Sequence, residues 1–292
     1  MVAGYRLASC FVTHNLPTHN LPTCNLPTCN LPTNVPQHIL ICRLGRVPYA
    51  PAWALQRQIQ TRLVEAKRAE PPRSIPHVIL EVEHPPVYTL GKSGNPEHLL
   101  ATEAELAAQG ATFHHIDRGG DITYHGPGQL VVYPILDLDR FTPDIHRYLR
   151  ELEEAVIRSC ADFGVPAERV AGRTGVWVPA DEWGGERKIC AMGIRCSRWV
   201  TMHGLALNIN TDLSFFSRII PCGIVNRDVT SLAREAGHAV DEGRVAERLE
   251  AHFAERFNAT IDVSDGAGAY DILASFLGQS LDPELAPDLL SR

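Results

Sequence analysis

The sequence predicts a mixed α/β (α+β) fold, and three observations carry that expectation. Short apolar runs of strand length alternate along the chain with segments whose apolar residues recur every three or four positions. Hydrophobic residues make up 45% of the 292, enough for one large core. No run approaches the roughly 20 apolar residues that a membrane-spanning helix requires. The order of elements does not by itself fix a topology.

The chain opens on a tandem pentapeptide. Thr13–Pro17 and Thr18–Pro22 read Thr-His-Asn-Leu-Pro, and Thr23–Pro27 and Thr28–Pro32 repeat it with cysteine in place of histidine. A proline every fifth residue excludes a helix, and Asn and Pro resist a sheet interior. Residues 1–37 are therefore expected to be a low-complexity, disordered or extended extension. His14, His19, Cys24 and Cys29 have the chemistry of metal ligands, but their spacing is only that of the repeat, and no metal is expected. The extension is not Arg-rich like a mitochondrial presequence, and Met1–Val12 is too short for a secretory core.

The globular part is expected over residues 38–262. His38–Ile41 reads as a short apolar strand. Ala52, Leu55, Ile59, Leu63 and Ala66 follow at helical spacing, and Pro71-Pro72 stops that helix. Val78–Val82 reads as a buried strand ended by His84-Pro85-Pro86, and Gln129–Asp137 as another. The next helix is expected to take Thr142 as its N-cap and Pro143 in its first turn. Ile145, Leu149, Leu152, Val156 and Phe163 form its apolar face, and Gly164 ends it. Gly175–Val178, Lys188–Cys196 and Trp199–Ile209 read as strands, the last two joined at Ser197-Arg198. Val245, Leu249, Phe253 and Phe257 mark a late helix. The tail, residues 263–292, is acidic and apolar in patches, and is expected to dock loosely.

A net charge of -7 argues against a general nucleic-acid binder. The eight cysteines form no CxxC pair. With no export signal, reduced thiols and a cytoplasmic protein are expected, most of the cysteines being inert small hydrophobes.

Three segments stand out. Arg118–Gln129 packs four glycines and a proline into twelve residues before a strand. Glycine lets a backbone approach a ligand closely and offer N–H donors, though a turn-rich connector would look the same. Lys188 opens an apolar strand, where a strand-end lysine is commonplace. In Ile219-Ile220-Pro221-Cys222-Gly223-Ile224 a thiol sits at a bend between small neighbours, as a nucleophile requires. On spacing alone a buried structural cysteine is the better reading.

Taken in order, Arg118–Gln129, Lys188–Gly193, His203–Asn208 and Pro221–Ile224 resemble the signature stretches of the octanoyltransferases of the lipoate pathway, over roughly His38 to Phe257. Several long motifs in one order are far more specific than one short motif. The resemblance implies a biotin/lipoate protein ligase-like catalytic domain. It implies Cys222 as the acyl-accepting nucleophile and Lys188 as its partner. Substrate contacts would fall on Arg118, Gly119, Gly120, Asp121, Ile122, Thr123, Tyr124 and His125, on Ala191, Met192 and Gly193, and on Gly204, Leu205 and Ala206. It implies octanoyl-acyl carrier protein as donor, and as acceptors the lipoyl domains of 2-oxoacid dehydrogenase E2 subunits and the glycine cleavage H protein. No cofactor, nucleic acid or membrane is implied.

The chemistry agrees with those roles. A free thiol titrates near 8.5, and a neighbouring ammonium favours its thiolate. Backbone N–H groups near Cys222 and Gly223 would hold the oxyanion. Leu205, Met192 and Ile122–Tyr124 are candidates for an apolar slot. His203 would orient the substrate or the lysine, or else be a structural histidine bonded to backbone. Arg187, Lys188, Arg195, Arg198, Arg218 and Arg227 are expected to form a basic rim for an acidic carrier. Three other readings stay open: an ATP-dependent lipoate or biotin ligase, another cysteine acyltransferase, and a carrier-binding module without catalysis. The pentapeptide extension has no counterpart in the family pattern.

Overall fold

The computed structural model describes residues 35–182, 184–220 and 228–285. Its centre is an eight-stranded mixed sheet. Seven strands run in the spatial order β11 (Ala259–Asp265), β1 (Gln37–Arg46), β2 (His77–Glu83), β6 (Gln129–Ile135), β9 (Val200–Asn208), β8 (Arg187–Ser197) and β10 (Asp228–Val229). β7 (Val176–Val178) pairs with β8. β11, β1 and β2 are mutually parallel, and β2, β6, β9 and β8 are antiparallel in turn.

Both faces of this sheet are covered, because successive side chains of a strand point to opposite sides. Ile79, Val132, Leu205 and Leu207 face one cluster with α3 (Ile145–Asp162) and α5 (Glu242–Phe257), which contribute Leu152, Val156, Leu249 and Phe253. Val78, Leu80, Val131 and Ala206 face the other with α1 (Tyr49–Arg68), which contributes Leu55, Ile59 and Leu63, and α6 (Gly266–Leu277), which contributes Leu273. The expected helical residues Ala52, Leu55, Ile59, Leu63 and Ala66 are all buried.

A second sheet, unexpected from the sequence, pairs β4 (Thr112–His115), β3 (Val87–Leu90) and β5 (Ile122–His125). Part of the glycine-rich segment is thus a strand, with Tyr124 opposite Tyr88. A short helix, α2 (Glu103–Ala108), carries a full capping box between Thr102 and Glu105. Another, α4 (Leu232–Ala236), follows β10.

Several boundaries move. The N-cap of α3 is Asp144, not Thr142, because the Asp144 carboxylate reaches the N–H groups of His146 and Arg147. Phe163 is the C-cap residue, and it packs against the same core cluster as Leu152 and Val156. The β8–β9 connection is Arg198-Trp199, one residue later than expected, with φ of 51° and 62°. Two left-handed residues match the twist of a tight hairpin; without glycine they cost about 1–2 kcal/mol each. The described part of the tail, up to Leu285, does not dock loosely. The expected boundary after residue 262 falls inside β11, which pairs with β1 from Gln37↔Ala259 to Arg43↔Asp265, and Ala269, Leu273 and Leu285 are buried in the core. Patchy hydrophobicity there is the short buried face of α6. Residues 1–34, with the pentapeptides and their His14, His19, Cys24 and Cys29, lie outside the described residues.

Cys42, Cys160 and Cys190 are buried, and burial pushes the thiols of Cys42 and Cys160 up to about 12, which makes them inert. Among the described residues, no helix is long and apolar enough to cross a membrane.

Candidate active site

A cavity of ≈ 340 Å³ opens where β8 and β9 meet the small sheet. Three features of the sequence make room for it. Across the β8–β9 pair Ala191 faces Ala206, Met192 faces Leu205 and Gly193 faces Gly204, so two rungs carry almost no side chain. The Arg118–Gly120 turn lies over this stretch, because the Gly119 N–H donates to the Ile194 carbonyl at 2.9 Å. A Cβ on Gly193 would come within 2.7 Å of the Gly119 oxygen, and one on Gly91 would collide with the Gly120 oxygen. Glycine at both places lets the turn lie between β3 and β8.

Of the residues expected at the site, Arg118, Gly120, Asp121, Ile122, Thr123 and His125 line the cavity from the turn and β5. Lys188, Ala191, Met192 and Gly193 line it from β8, and His203, Gly204, Leu205 and Ala206 from β9. Two of them do not. Gly119 is spent on its bond to Ile194, and Tyr124 turns away to stack on Phe215 at 4.7 Å between ring centroids, packed also against Tyr88 and Phe216. Alternation in β5 sends Tyr124 to the opposite side from Thr123 and His125. Cys222 lies outside the described residues, as do Pro221, Gly223, Ile224 and Arg227. The chain reaches that segment from Ile220, whose N–H binds the His98 carbonyl at 2.9 Å. It leaves it at β10, where Val229 stands in register with Lys188.

Lys188 sits over the Trp177 ring, 4.6 Å from its centroid. Trp177, from β7, lines the cavity without having been singled out from the sequence, as do Tyr49 and Tyr133, and Asn208 joins them from the end of the His203–Asn208 stretch. Only the period-2 pattern of β6 could have flagged Tyr133; no signal in the sequence marks Tyr49.

Two buried histidines stand at the cavity or beside it. Burial pushes His84 down to about 4 and His125 down to about 3, so both rings are neutral. His84 Nδ1 donates to the Val47 carbonyl at 2.7 Å, leaving Nε2 to accept from the Tyr133 hydroxyl at 2.7 Å. His125 Nδ1 donates to Gln129 Oε1 at 2.8 Å. Gln129 Nε2 donates to Asn208 Oδ1 at 2.8 Å, and Asn208 Nδ2 to the Thr230 carbonyl at 2.9 Å. This chain of amides ties β5 to β6, β9 and the residue after β10. Arg118 is buried, with Nη2 donating to Thr89 O at 2.7 Å and Oγ1 at 3.0 Å. His203 bonds the Asp117 carboxylate rather than backbone.

Two of the six residues expected in a basic rim are held by carboxylates instead. Arg187 is buried, held by Asp181 at 2.7 Å and Glu235 at 2.8 Å, and Arg195 pairs with Asp117 at 2.8 Å. Neighbourhood in sequence placed Arg187 and Arg195 near the motifs, but adjacent carboxylates hold both; Arg198 is exposed.

The model of the lipoyl protein ligase A/B catalytic domain matches residues 48–254. An octanoyltransferase of Flavobacterium psychrophilum is 51% identical over 223 residues, covering 75% of this chain and 96% of the relative. One of Bacteroides fragilis is 53% identical over 203 residues, 70% of this chain and 90% of the relative. The chain belongs to the octanoyltransferase family. Its fold is that of the lipoate protein ligases. A bi-partite ligase of Thermoplasma acidophilum superimposes with a TM-score of 0.59 at 17% identity, over 83% of this chain and 92% of that one. A lipoate-protein ligase A bound with ATP superimposes with 0.59 at 16%, over 83% and 94%. In this octanoyltransferase-family chain the cavity, Lys188 and the glycine-lined turn all fall within the matched domain.

Proposed function

We propose that this chain moves an octanoyl group from octanoyl-acyl carrier protein to Cys222, as a thioester, and then to a lysine of a lipoyl domain. The acceptors are the lipoyl domains of 2-oxoacid dehydrogenase E2 subunits and the glycine cleavage H protein. The observation that carries this reading is the cavity itself: Lys188 stands in the wall of a largely apolar space, in a chain about half identical to octanoyltransferases. Its ≈ 340 Å³ lies at the small end of ligand sites, a scale suited to a medium acyl chain rather than a long one. Met192, Leu205 and Ile122 give the chain an apolar lining, and the turn at Gly120 offers backbone near the head group.

In the first half the Cys222 thiolate attacks the donor carbonyl. The carbon–sulfur bond to the carrier breaks, and Lys188 protonates the departing thiol. In the second half the lysine amine attacks the new thioester and the Cys222 thiolate leaves. Thioester to amide runs downhill, so no nucleotide is consumed. The test is intact-protein mass after mixing with octanoyl-carrier protein, for the wild type and Cys222→Ser. A hydroxylamine-labile octanoyl adduct on the wild type alone, discharged by a lipoyl domain, is the expected result. Acylation only with free octanoate and ATP would replace this reading with that of a ligase.

A further inference from the structure

His203 is fixed more firmly than any packing need explains. It is 1% exposed and sits in the middle of β9 with a left-handed φ of 58°. Its backbone N–H donates to Gln56 Oε1 at 2.9 Å, and Gln56 is itself fully buried. Its Nε2 lies 2.8 Å from Asp117 Oδ1, and the other Asp117 oxygen is held at 2.8 Å by Arg195 of β8. The Nδ1 atom is buried and has no hydrogen-bond partner. Burial holds the ring below its ordinary titration range. The charged groups acting on it are Asp117 and Arg118 from the turn and Arg195 from β8, and it in turn influences His125 of β5. A neutral ring with its proton on Nε2, toward Asp117, presents a bare lone pair at Nδ1. A buried acceptor left without a donor is costly, and this one belongs to a residue of the cavity wall.

The reaction proposed above needs such an acceptor. The incoming lysine arrives as an ammonium and ends as an amide N–H, so it gives up two protons. One restores the Lys188 ammonium that was spent on the carrier thiol. The second must go elsewhere, because the Cys222 thiolate is regenerated as such.

We propose that His203 Nδ1 accepts that second proton in the transfer to the lipoyl lysine, and that Asp117 is the positioning residue which sets its tautomer. The N–H bond of the substrate amine breaks as the Nδ1–H bond forms. The imidazolium is stabilised by Asp117 and passes the proton to water when the product leaves. Asp117 directly precedes Arg118, so one carboxylate joins the turn, β8 and β9.

The inference rests on the two-step reading, and the test separates the two. Single-turnover rates would be measured on the full chain for acyl-enzyme formation from octanoyl-carrier protein. Rates of discharge of purified acyl-enzyme to a saturating lipoyl domain would be measured in parallel. His203→Asn, which tolerates left-handed backbone, and Asp117→Asn should slow discharge about 100-fold, at least about tenfold more than they slow acylation. Asp117→Glu should restore most of the discharge rate. Where His203→Asn does not fold, the two Asp117 variants decide alone. Equal loss in both steps, loss of acylation only, or no loss in either would overturn the proposal. A wild type that forms no acyl-enzyme would sink the two-step reading itself.

Discussion

The two ends of the main sheet are built on opposite plans. In β1 and β2 the interior positions are filled by Ile39, Ile41, Ile79, Leu80 and Val78, all 1% exposed or less. β11, β1 and β2 run in parallel register with one irregularity near Gly45. In β8 and β9 the same kind of ladder carries Gly193 opposite Gly204 and Ala191 opposite Ala206, a histidine at positive φ, and the cavity. Where the sheet fills its own space it gains stability; where it withholds side chains it leaves a cavity. Close packing elsewhere is what lets one region stay open.

The sharpest break of that contrast is at Lys188. Lys188→Ala should lower octanoyl transfer by about 10²–10⁴-fold with little change in the thermal midpoint; a transfer assay beside a melting curve reads both. Full activity would mean that the open end serves some other chemistry. At the filled end the signs reverse. Ile79→Ala should cost about 2–5 kcal/mol of stability in denaturant unfolding, with turnover unchanged well below the transition. Gly204→Ala tests the boundary between the two plans. The added Cβ would collide with the Val132 carbonyl oxygen, so a loss of about 1–3 kcal/mol and a narrowed cavity are expected together. Stability lost without activity would show that the glycine serves only strand packing.

The pH dependence gives the smallest and most graded contrast. His84 and His125, beside the cavity, are neutral when folded, with values near 4 and 3, whereas in the unfolded chain each titrates near 6.5. Below about pH 6.5 the unfolded state therefore binds more protons, and stability falls as pH drops toward 3. At the filled end Glu81 is raised above the ordinary carboxylate range by burial and by Glu250. There the folded state holds the extra proton, and stability falls as pH rises from the ordinary carboxylate range up to the raised value. Urea midpoints of His125→Gln should flatten the acid limb, and those of Glu81→Gln the other; an unchanged profile in either would remove that residue from the account.

Much of the fold could be read from periodicity. α1, α3 and α5 follow from their 3.6-residue apolar faces, and β2, β6, β8 and β9 from runs of β-branched and aliphatic residues. β3, β4 and β5 could not be found this way. They are four residues each, too short for a period to accumulate, and β5 is hidden inside a glycine-rich motif. The tail was misread for a related reason: α6 buries only Ala269 and Leu273, so its apolar face is too narrow to stand out from an acidic tail. Arg187 and Arg195 were misread because charge counts carry no direction.

The sequence by itself determined the family and the order of the motifs, since these are set by residue type and spacing along one chain. Only the tertiary structure decided which residues meet. It turned Tyr124 away, paired Arg187 and Arg195 with carboxylates, brought Trp177 over Lys188, and joined Asp117 to His203 across 86 positions of sequence. Such contacts depend on strand register and on which face a side chain takes, and a shift of one residue in a strand reverses both.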